Sequence, residues 1–574
     1  MTKEEGEIER ERGIHLNRPE CHPLIPHTPV PWSAEFLSPA RTGVTAMPLP
    51  GDRPTDHTGP APRSASSAPV PLGRAAIAAS EDACTTSIAP FSGAPLGHVP
   101  HCGPDDIDRA FAAARTAAHR WSARGLRERA AVFLRFHDLL IRHQDEVLDL
   151  IQQETGKARR DAFDEIVDVV LTARYYGRRA PGLLRPRRRR GALPLLTATV
   201  EVHHPRGVVG VVTPWNYPLA LALSDAVPAL IAGNGVVCKP DFQGAFTAVW
   251  AQGLLRRAGL PDGLFQVVTG PGDVVGPSVV AHSDYVCFTG SADTGRAVAA
   301  LAGRHLIGCT LELGGKNALI VLDDADVDAA AEGAVRSCYT SAGQLCMSAE
   351  RVLVHTSRHD AFLRAFTDKT RALRLGASLD YRADMGSLVS AARLRAVHGH
   401  IQDAVARGAH LVTGGRPRPE LGPFFYEPTI LTGVTDEMSL HHQEVFGPVA
   451  AVYPFSDERE AVERANSGSY GLNASVWTSR PARGRRLGMR IRAGTVSVNE
   501  AHAAAYASLD APMGGMRDSG INRRHGRDGI LNYTEAQTLA VQRAMPLSAP
   551  TGTADQSYAD RISRLLLTAK RLGL

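Results

Sequence analysis

Residues 207–240 read GVVGVVTPWNYPLALALSDAVPALIAGNGVVCKP, and the part from Gly207 to Cys238 is the most apolar stretch of the chain. Two β-branched runs, Val208–Val212 and Gly235–Cys238, lie near its ends, and prolines and polar residues interrupt the middle. A membrane-spanning helix needs about 20 consecutive apolar residues, and this stretch is broken well before that length. Short apolar runs bounded by turn residues are typical of strands buried on both faces of a parallel sheet.

The same alternation of short apolar runs with helical patterns extends to both sides of this stretch. Leu264–Val268 and Tyr285–Phe288 are two further predicted strands, and a continuous helical pattern runs from Leu126 to about Glu154. A second series of strands is predicted after Glu312, at Ala318–Leu322, Arg351–Val354, Ala450–Tyr453, Ala474–Trp477 and Gly494–Val498. Strands that alternate with helices predict parallel α/β sheets, and the two series predict two α/β domains.

The composition limits the classes of protein that the chain can belong to. With 574 residues it is too long for one hydrophobic core, and its 44% hydrophobic and 21% charged residues are those of an ordinary globular protein. The net charge of +5 is too small to indicate a nucleic-acid-binding protein. The eight cysteines include no CxxC pair and no secretory signal is recognisable, so we expect a reduced, cytoplasmic compartment. No metal site is expected, because the pairs His203-His204 and His441-His442 lack metal-ligand spacing.

The two ends of the chain and one basic run depart from this globular pattern. Residues 1–85 contain 13 of the 38 prolines and show no apolar periodicity, which predicts a disordered extension. Arg185-Pro-Arg-Arg-Arg-Arg190 overlaps an extended arm predicted at about 187–205, and the run is either a solvated loop or a contact for an anion or nucleic acid. Residues 546–574 form a tail in which the segment after Tyr558 has the pattern of a short amphipathic helix.

Two motifs contain the groups that acyl transfer requires. Leu311-Glu-Leu-Gly-Gly-Lys-Asn317 places a carboxylate in a glycine-rich turn, and Gly343-Gln-Leu-Cys346 places a cysteine 34 residues after Glu312. A thiolate can attack a carbonyl carbon, and a carboxylate can deprotonate the water that then releases the acyl group. Taken singly, a cysteine is more often a small buried residue and a glutamate a solvated charge.

Two glycine-containing segments are candidates for binding a dinucleotide. Gly270-Pro-Gly-Asp-Val-Val-Gly276 follows a predicted strand but spells GxGxxxG, which is not the dinucleotide fingerprint GxGxxG. Phe288-Thr-Gly-Ser-Ala-Asp-Thr-Gly295 matches better, as a turn from strand to helix whose free N–H groups can hold a pyrophosphate.

Together with Thr213-Pro-Trp-Asn-Tyr-Pro218, Lys239-Pro240 and Glu444-Val-Phe-Gly-Pro448, these motifs resemble the aldehyde dehydrogenase superfamily over about residues 86 to 545. The resemblance implies that Cys346 is the nucleophile and Glu312 the general base. It also implies that the Asn216 side-chain amide and the Cys346 backbone N–H donate hydrogen bonds to the oxyanion that forms when the thiolate attacks the aldehyde. The residues implied to bind the cofactor, NADP or NAD, are Trp215, Lys239, Gly290, Ser291, Gly295, Gly314, Glu444 and Phe446.

The same resemblance implies an aldehyde dehydrogenase-like fold, with two parallel α/β domains and an oligomerisation arm. The expected units are a dinucleotide-binding domain at 86–311, a catalytic domain at 312–509, and an oligomerisation strand with cleft closure at 510–545. A homodimer or homotetramer is expected. NADP is preferred over NAD because Phe242 stands three residues after Lys239, where NAD-preferring relatives often have a glutamate that would repel a 2′-phosphate.

The closing segment, from Ser497 to Gln537, resembles one subgroup, the NADP-type succinate-semialdehyde dehydrogenases. Better-known succinate-semialdehyde enzymes pair the substrate carboxylate with an arginine six residues before the cysteine, where this chain has Thr340. Oxidation of an aromatic or another aliphatic aldehyde is therefore an alternative. An inactive dinucleotide-binding or structural homologue is a second alternative, although such a protein would be expected to lack one of the three catalytic residues.

Overall fold

The computed structural model describes residues 83–191, 196–543, 548–549, 551–552 and 555–572. Positions 1–82 of the predicted extension lie outside these ranges, and the first strand begins at Cys84. That strand, Cys84–Ile88, forms an antiparallel hairpin with Pro95–Pro100. Within the described ranges, no helix is both long and apolar enough to cross a membrane.

One sheet is built around the strand Val208–Thr213 that opens the apolar stretch. Its strands, in spatial order, are Gly520–Ile521, Gly308–Glu312, Tyr285–Thr289, Val208–Thr213, Gly235–Pro240 and Phe265–Val267. All neighbours are parallel except Gly520–Ile521, which pairs antiparallel with the strand that ends at Glu312. Val209 and Val211 belong to one hydrophobic cluster, and Val208 and Val212 belong to another. The sheet is therefore buried on both faces, which explains why its strands are continuous apolar runs.

A second sheet contains the five strands predicted after Glu312 and two that were not predicted, His410–Thr413 and Thr429–Thr432. Their spatial order is His410–Thr413, Thr429–Thr432, Val449–Phe455, Ala349–His355, Asn317–Val321, Asn473–Trp477 and Thr495–Val498. Only the edge strand His410–Thr413 is antiparallel to its neighbour in this sheet as described. The two parallel sheets with their helices confirm the predicted α/β class.

Helices cover both sheets. The α-helices before Glu312 are Pro104–Ser122, Leu126–Arg142, Gln144–Thr155, Arg159–Leu183, Pro218–Ser224, Ala226–Ala232, Ala245–Arg257, Gly272–His282 and Ala292–Arg304. The later ones are Val327–Tyr339, His359–Arg371, Ala391–Ala406, Ser439–His442, Glu458–Ala465, Pro481–Gly488, Ala503–Tyr506, Gly526–Leu531 and Asp555–Arg571. Short 3₁₀ turns occur at Phe242–Gly244, Thr340–Gly343 and Arg517–Ser519.

The helical pattern predicted as continuous from Leu126 to about Glu154 is two helices, and that expectation is wrong at His143. His143 leaves helical geometry, with φ −107° and ψ 17°, while its N–H still bonds to the Leu139 carbonyl. Its Nδ1 lies 2.8 Å from an oxygen of Glu146 in the first turn of the next helix. Apolar periodicity survives such a one-residue break, so the sequence pattern could not show it.

The predicted arm forms a three-stranded antiparallel sheet. Thr197–Pro205 pairs on one side with Arg187–Arg189 and on the other with Thr534–Gln542, from the far end of the chain. Arg189, in the basic run, pairs with Glu201 at 2.6 Å. Part of the basic run is thus an edge strand of this sheet and not a loop.

Candidate active site

One cavity of about 790 Å³ is lined by Cys346, Glu312 and Asn216. Asn216 and Cys346 are 130 positions apart in the sequence. Asn216 follows the strand Val208–Thr213, and Glu312 ends the strand Gly308–Glu312 of the same sheet. Cys346 lies just before the strand Ala349–His355 of the second sheet. The cavity therefore lies where the two sheets meet, at the carboxyl ends of two strands of the first, a usual position for the site of an α/β protein.

The backbone before Cys346 has an unusual left-handed course. Ser341, Ala342 and Gly343 have φ values of 54°, 55° and 70°. A left-handed residue other than glycine costs roughly 1 kcal/mol or more, so tertiary contacts must hold this turn. The Ser341 N–H donates to Asp161 at 2.8 Å, and the Tyr217 hydroxyl lies 2.8 Å from the Ser341 hydroxyl. Helix Arg159–Leu183 and the Asn216 loop thus fix the turn that carries the cysteine.

The half-buried Cys346 thiol is reached through the cavity. Burial raises the pKa of this thiol to about 12, the negative charges of Glu444 and Glu312 raise it further, and Arg524 opposes them. The Sγ atom therefore holds its proton at neutral pH, and a base or an added positive charge must assist its ionisation.

The Glu312 carboxylate is only 5% exposed, and its Oε1 atom has no hydrogen-bond partner among the described residues. Burial raises the pKa of this carboxyl to about 7, while the nearby Arg524 guanidinium limits the rise. A buried carboxyl that titrates near neutral pH and borders a cavity has the properties of a general base.

The Asn216 side chain is also 5% exposed, and its Nδ2 atom donates to the Gln344 carbonyl at 3.0 Å. Its backbone carbonyl accepts a 2.6 Å hydrogen bond from Lys157 Nζ, which also pairs with Glu165 at 2.8 Å. Glu165 in turn accepts hydrogen bonds from the N–H groups of Leu219 and Ala220. A buried ion pair therefore fixes the Asn216 loop from both sides. Sequence reasoning missed this pair, since a lysine and a glutamate eight residues apart give no signal.

A second cavity, of about 1090 Å³, meets the first at Thr289. Four of the predicted cofactor residues, Trp215, Lys239, Gly290 and Ser291, line it. Lys239 is 5% exposed, and its ammonium makes no hydrogen bond or ion pair with the described residues, although the charges of Asp241 and Asp273 partly offset the effect of burial on its pKa. A buried cation without a partner is costly, so this lysine fits a ligand that supplies oxygen acceptors.

The turn after the strand Tyr285–Thr289 has the predicted geometry. Ser291 caps the helix Ala292–Arg304 by accepting a hydrogen bond from the Thr294 N–H. A Cβ at Gly290 would lie 2.5 Å from the Phe288 ring, so glycine is required there. Gly295 does not line the cavity: a Cβ there would lie 2.5 Å from the Leu313 side chain, so this glycine serves close packing.

The GxGxxxG segment, which the sequence comparison with the fingerprint disfavours, lines the same cavity through Gly270, Pro271, Gly272 and Asp273. Its departure from the fingerprint therefore does not exclude a place beside this cavity. Whether this segment lies at a ligand site depends on its position in the fold, which the motif alone could not show.

Neither of these two cavities is lined by Gly314, Glu444 or Phe446. These residues instead make contacts between segments that belong to the two sheets. Glu444 accepts a 3.0 Å hydrogen bond from the Gly315 N–H, and a Cβ at Gly314 would lie 2.2 Å from its other oxygen. Burial, reinforced by Glu350, raises the pKa of the Glu444 carboxyl to about 8. The Phe446 ring meets the Trp215 ring edge-on at 5.6 Å. The predicted cofactor residues of both sheets are thereby in contact.

The chain is similar to known proteins over most of its length. Residues 77–539 match the model of the aldehyde dehydrogenase family. The chain is 49% identical over 482 residues to a Mycolicibacterium smegmatis protein named "Putative succinate-semialdehyde dehydrogenase", with NADP(+) in its name, covering 84% of this chain and 93% of the relative.

Solved structures share the fold. A succinate-semialdehyde dehydrogenase from Burkholderia pseudomallei is 34% identical with a TM-score of 0.77, covering 81% of this chain and 96% of that one. A Staphylococcus aureus betaine aldehyde dehydrogenase in complex with NAD+ is 29% identical with a TM-score of 0.78, covering 83% and 94%. The chain therefore belongs to the aldehyde dehydrogenase family.

Proposed function

We propose that Cys346, Glu312 and Asn216 oxidise an aldehyde to a carboxylic acid with NADP+ or NAD+ as the hydride acceptor. The observation that carries this proposal is that the three side chains line one cavity, which adjoins a second cavity lined by the unpartnered Lys239. This shared cavity supports Cys346 as the nucleophile, Glu312 as the base and Asn216 as the amide donor.

In the proposed mechanism the Cys346 Sγ passes its proton to solvent and bonds to the aldehyde carbon, so that the C=O π bond breaks and the carbonyl oxygen becomes an oxyanion. The Asn216 Nδ2 and the Cys346 backbone N–H donate hydrogen bonds to that oxygen; one such donor contributes roughly 3 to 4 kcal/mol in other enzymes. A dinucleotide held by the residues named below would supply a hydride acceptor for the hydrogen on the same carbon, and Cys346 Sγ would then carry the acyl group as a thioester. Glu312 then takes a proton from water, the water oxygen bonds to the thioester carbon, and the C–S bond breaks to release the acid.

The residues proposed to hold the dinucleotide are Lys239 at a ribose, the Gly290–Gly295 turn at the phosphates, and Trp215, Gly314, Glu444 and Phe446 around the nicotinamide half. We propose NADP as the preferred form. The Phe242 ring lines this cavity where an acidic residue would repel a 2′-phosphate, and the name of the M. smegmatis relative includes NADP(+).

Succinate semialdehyde is the proposed substrate, because relatives 48–49% identical over most of their length carry that activity in their names. Thr340 does not take over the role of the missing arginine in binding the substrate carboxylate, since its hydroxyl donates to the Arg336 carbonyl. An aromatic or other aliphatic aldehyde is the alternative. Initial rates of reduced-cofactor formation with succinate semialdehyde and with benzaldehyde, each with NADP+ and NAD+, decide between them. A benzaldehyde preference would contradict the substrate, and no rate with either would favour an inactive homologue.

The domain division at about 86–311, 312–509 and 510–545 also remains a proposal, as does a homodimer or homotetramer. The strand Thr534–Gln542 supports an interface, because its residues after Thr534 are exposed, including Leu539 and Val541 at more than half of their surface. A cytoplasmic location is proposed from the seven described cysteines, all of which are free.

A further inference from the structure

Arg524 is the one lysine or arginine among the described residues that line the cavity of Cys346. It is 7% exposed, and its guanidinium is held on two sides. Nε and Nη2 donate to the two Asp225 oxygens at 3.0 and 2.5 Å, and Nη2 also donates to the Thr289 hydroxyl at 2.8 Å. Asp225 accepts a further hydrogen bond, at 2.9 Å, from the Tyr533 hydroxyl.

These contacts place the guanidinium beside Glu312. Thr289 and Glu312 are register partners on neighbouring parallel strands, so a group bonded to the Thr289 hydroxyl lies close to Glu312. The segment that carries Arg524 also crosses Glu312, because Gly520 pairs with it in the sheet. Backbone hydrogen bonds in both directions between Met513 and Arg524 then fix the start of the side chain. Arg524 thus has little freedom to move away from Glu312 in the folded protein.

The charges that face Glu312 are few. Arg524 and the half-buried Arg523 are positive, Asp225 is negative, and the Cys346 thiol shares the cavity. Burial lowers the pKa of His525 to about 3, so this neighbour of Arg524 is neutral at working pH.

Farther along the cavity wall lie two more carboxyls, Asp164 and Asp168, and His502. Burial raises the pKa of both aspartates to about 6 and lowers that of His502 to about 4, so neither histidine of the cavity adds positive charge near neutral pH. Arg524 lowers the pKa of the Glu312 and Asp168 carboxyls, whereas Lys157 and Arg160 lower that of Asp164.

We propose that Arg524 is a positioning residue that acts through Glu312, keeping its carboxylate charged for water activation, while Asp225 limits that effect so that the carboxylate stays basic. This inference rests on the proposed function. Glu312 has an oxygen without a hydrogen-bond partner, so charge interaction with Arg524 replaces the donors that usually stabilise a buried carboxylate. The Arg524–Asp225 ion pair thus sets how strongly basic the Glu312 carboxylate is.

The two partners of the ion pair should affect the reaction in opposite directions. Removing the Arg524 charge raises the pKa of Glu312, so the carboxylate becomes protonated at higher pH. The acidic limb of the pH–rate profile for thioester hydrolysis then moves to higher pH. Removing the Asp225 charge lowers that pKa, so the limb moves down. A merely structural role for the pair would move both limbs together or reduce the rates at all pH values equally.

The experiment follows the decay of the acyl-enzyme on Cys346 by rapid quench and intact mass, between roughly pH 5 and 9. For Arg524→Gln we expect a limb about one pH unit higher and decay about tenfold slower below it. For Asp225→Asn we expect the limb to fall, with faster decay at low pH, and for Arg524→Lys a profile near that of the wild type. Arg523→Gln removes a neighbouring charge from a residue whose Nη1 bonds only to carbonyls, and it should shift the limb less.

An unmoved limb in Arg524→Gln, or a limb that moves up in Asp225→Asn, would overturn the inference. If Arg524→Gln does not fold, the direction in Asp225→Asn decides alone. Failure of the proposed function is distinguishable, because the wild-type enzyme would then form no acyl group on Cys346 at any pH.

Discussion

Replacing Lys157 with methionine tests how the oxyanion donor is held. The Lys157 and Glu165 side chains are 2% and 0% exposed, with 2.8 Å between Nζ and Oε1. Removing one member of a buried ion pair costs about 3 to 5 kcal/mol, because the remaining charge is left uncompensated. Glu165 retains two backbone N–H donors, from Leu219 and Ala220, so we expect a loss near the lower end, about 3 kcal/mol.

The same change also removes the hydrogen bond to the Asn216 carbonyl. Complete loss of an oxyanion donor lowers kcat by about 10² to 10³. Asn216 keeps its hydrogen bond to Gln344, so we expect a smaller fall in kcat, about tenfold. The free energy of unfolding is measured by urea titration and kcat by steady-state kinetics. The double variant Lys157→Met/Glu165→Gln should recover much of the lost stability but not the lost kcat.

Lys316→Met is the matched control. Lys316 forms an equally buried pair with Glu350, which accepts hydrogen bonds from the N–H groups of Val445 and Phe446 beside the proposed nicotinamide site. This variant should lose similar stability, but the KM for the cofactor should rise more than kcat falls. If Lys157→Met keeps both its stability within about 1 kcal/mol and its full kcat, or if the two variants have the same kinetic defect, Lys157 does not hold the oxyanion donor in place.

Two further substitutions test the cofactor site and the cysteine turn. Phe242→Glu places a carboxylate in the second cavity, so the ratio of kcat/KM for NADP+ to that for NAD+ should fall by at least about tenfold; an unchanged ratio would mean that the 2′-phosphate lies elsewhere. Gly343→Ala combines a φ of 70° with a Cβ 2.0 Å from the Gly447 carbonyl oxygen, and it should lose nearly all activity. The control is Gly399→Ala, at an exposed position inside a helix with no atom within 4 Å of the new Cβ. This variant should keep full activity and gain up to about 1 kcal/mol of stability. Equal activity in the two alanine variants would contradict the proposed need for glycine in the turn before Cys346.

The sequence predicts nine of the thirteen strands of the two sheets, because a strand buried on two faces is a continuous apolar run. It gives no prediction for Gly308–Glu312, His410–Thr413, Thr429–Thr432 and Gly520–Ile521. Val208–Val212 and Ala474–Trp477 are apolar at every position or nearly so, and each matches an observed strand within a residue or two. The break at His143 leaves no such record, because both helices keep the same apolar periodicity across it. Predictions of this kind succeed where one local pattern has one structural cause.

The chemistry of the site is only partly local. Cys346, Glu312 and Asn216 stand in motifs that can be read along the chain, and the structure brings them to one cavity, while their catalytic roles stay predictions. The Arg524–Asp225 pair joins residues 299 positions apart, and nothing in either neighbourhood indicates the other. Charge compensation in a buried site is a property of the folded arrangement and could not be predicted from spacing.

The central claim is that Cys346 carries the acyl group and Glu312 releases it. The most direct measurement is the intact mass of the Glu312→Gln variant after it is mixed with succinate semialdehyde and NADP+, with Cys346→Ala as the control. The account predicts one equivalent of NADPH and a stable acyl adduct that peptide mapping places on Cys346, and neither product in the control. An adduct on another residue, or NADPH formation by Cys346→Ala, would contradict it.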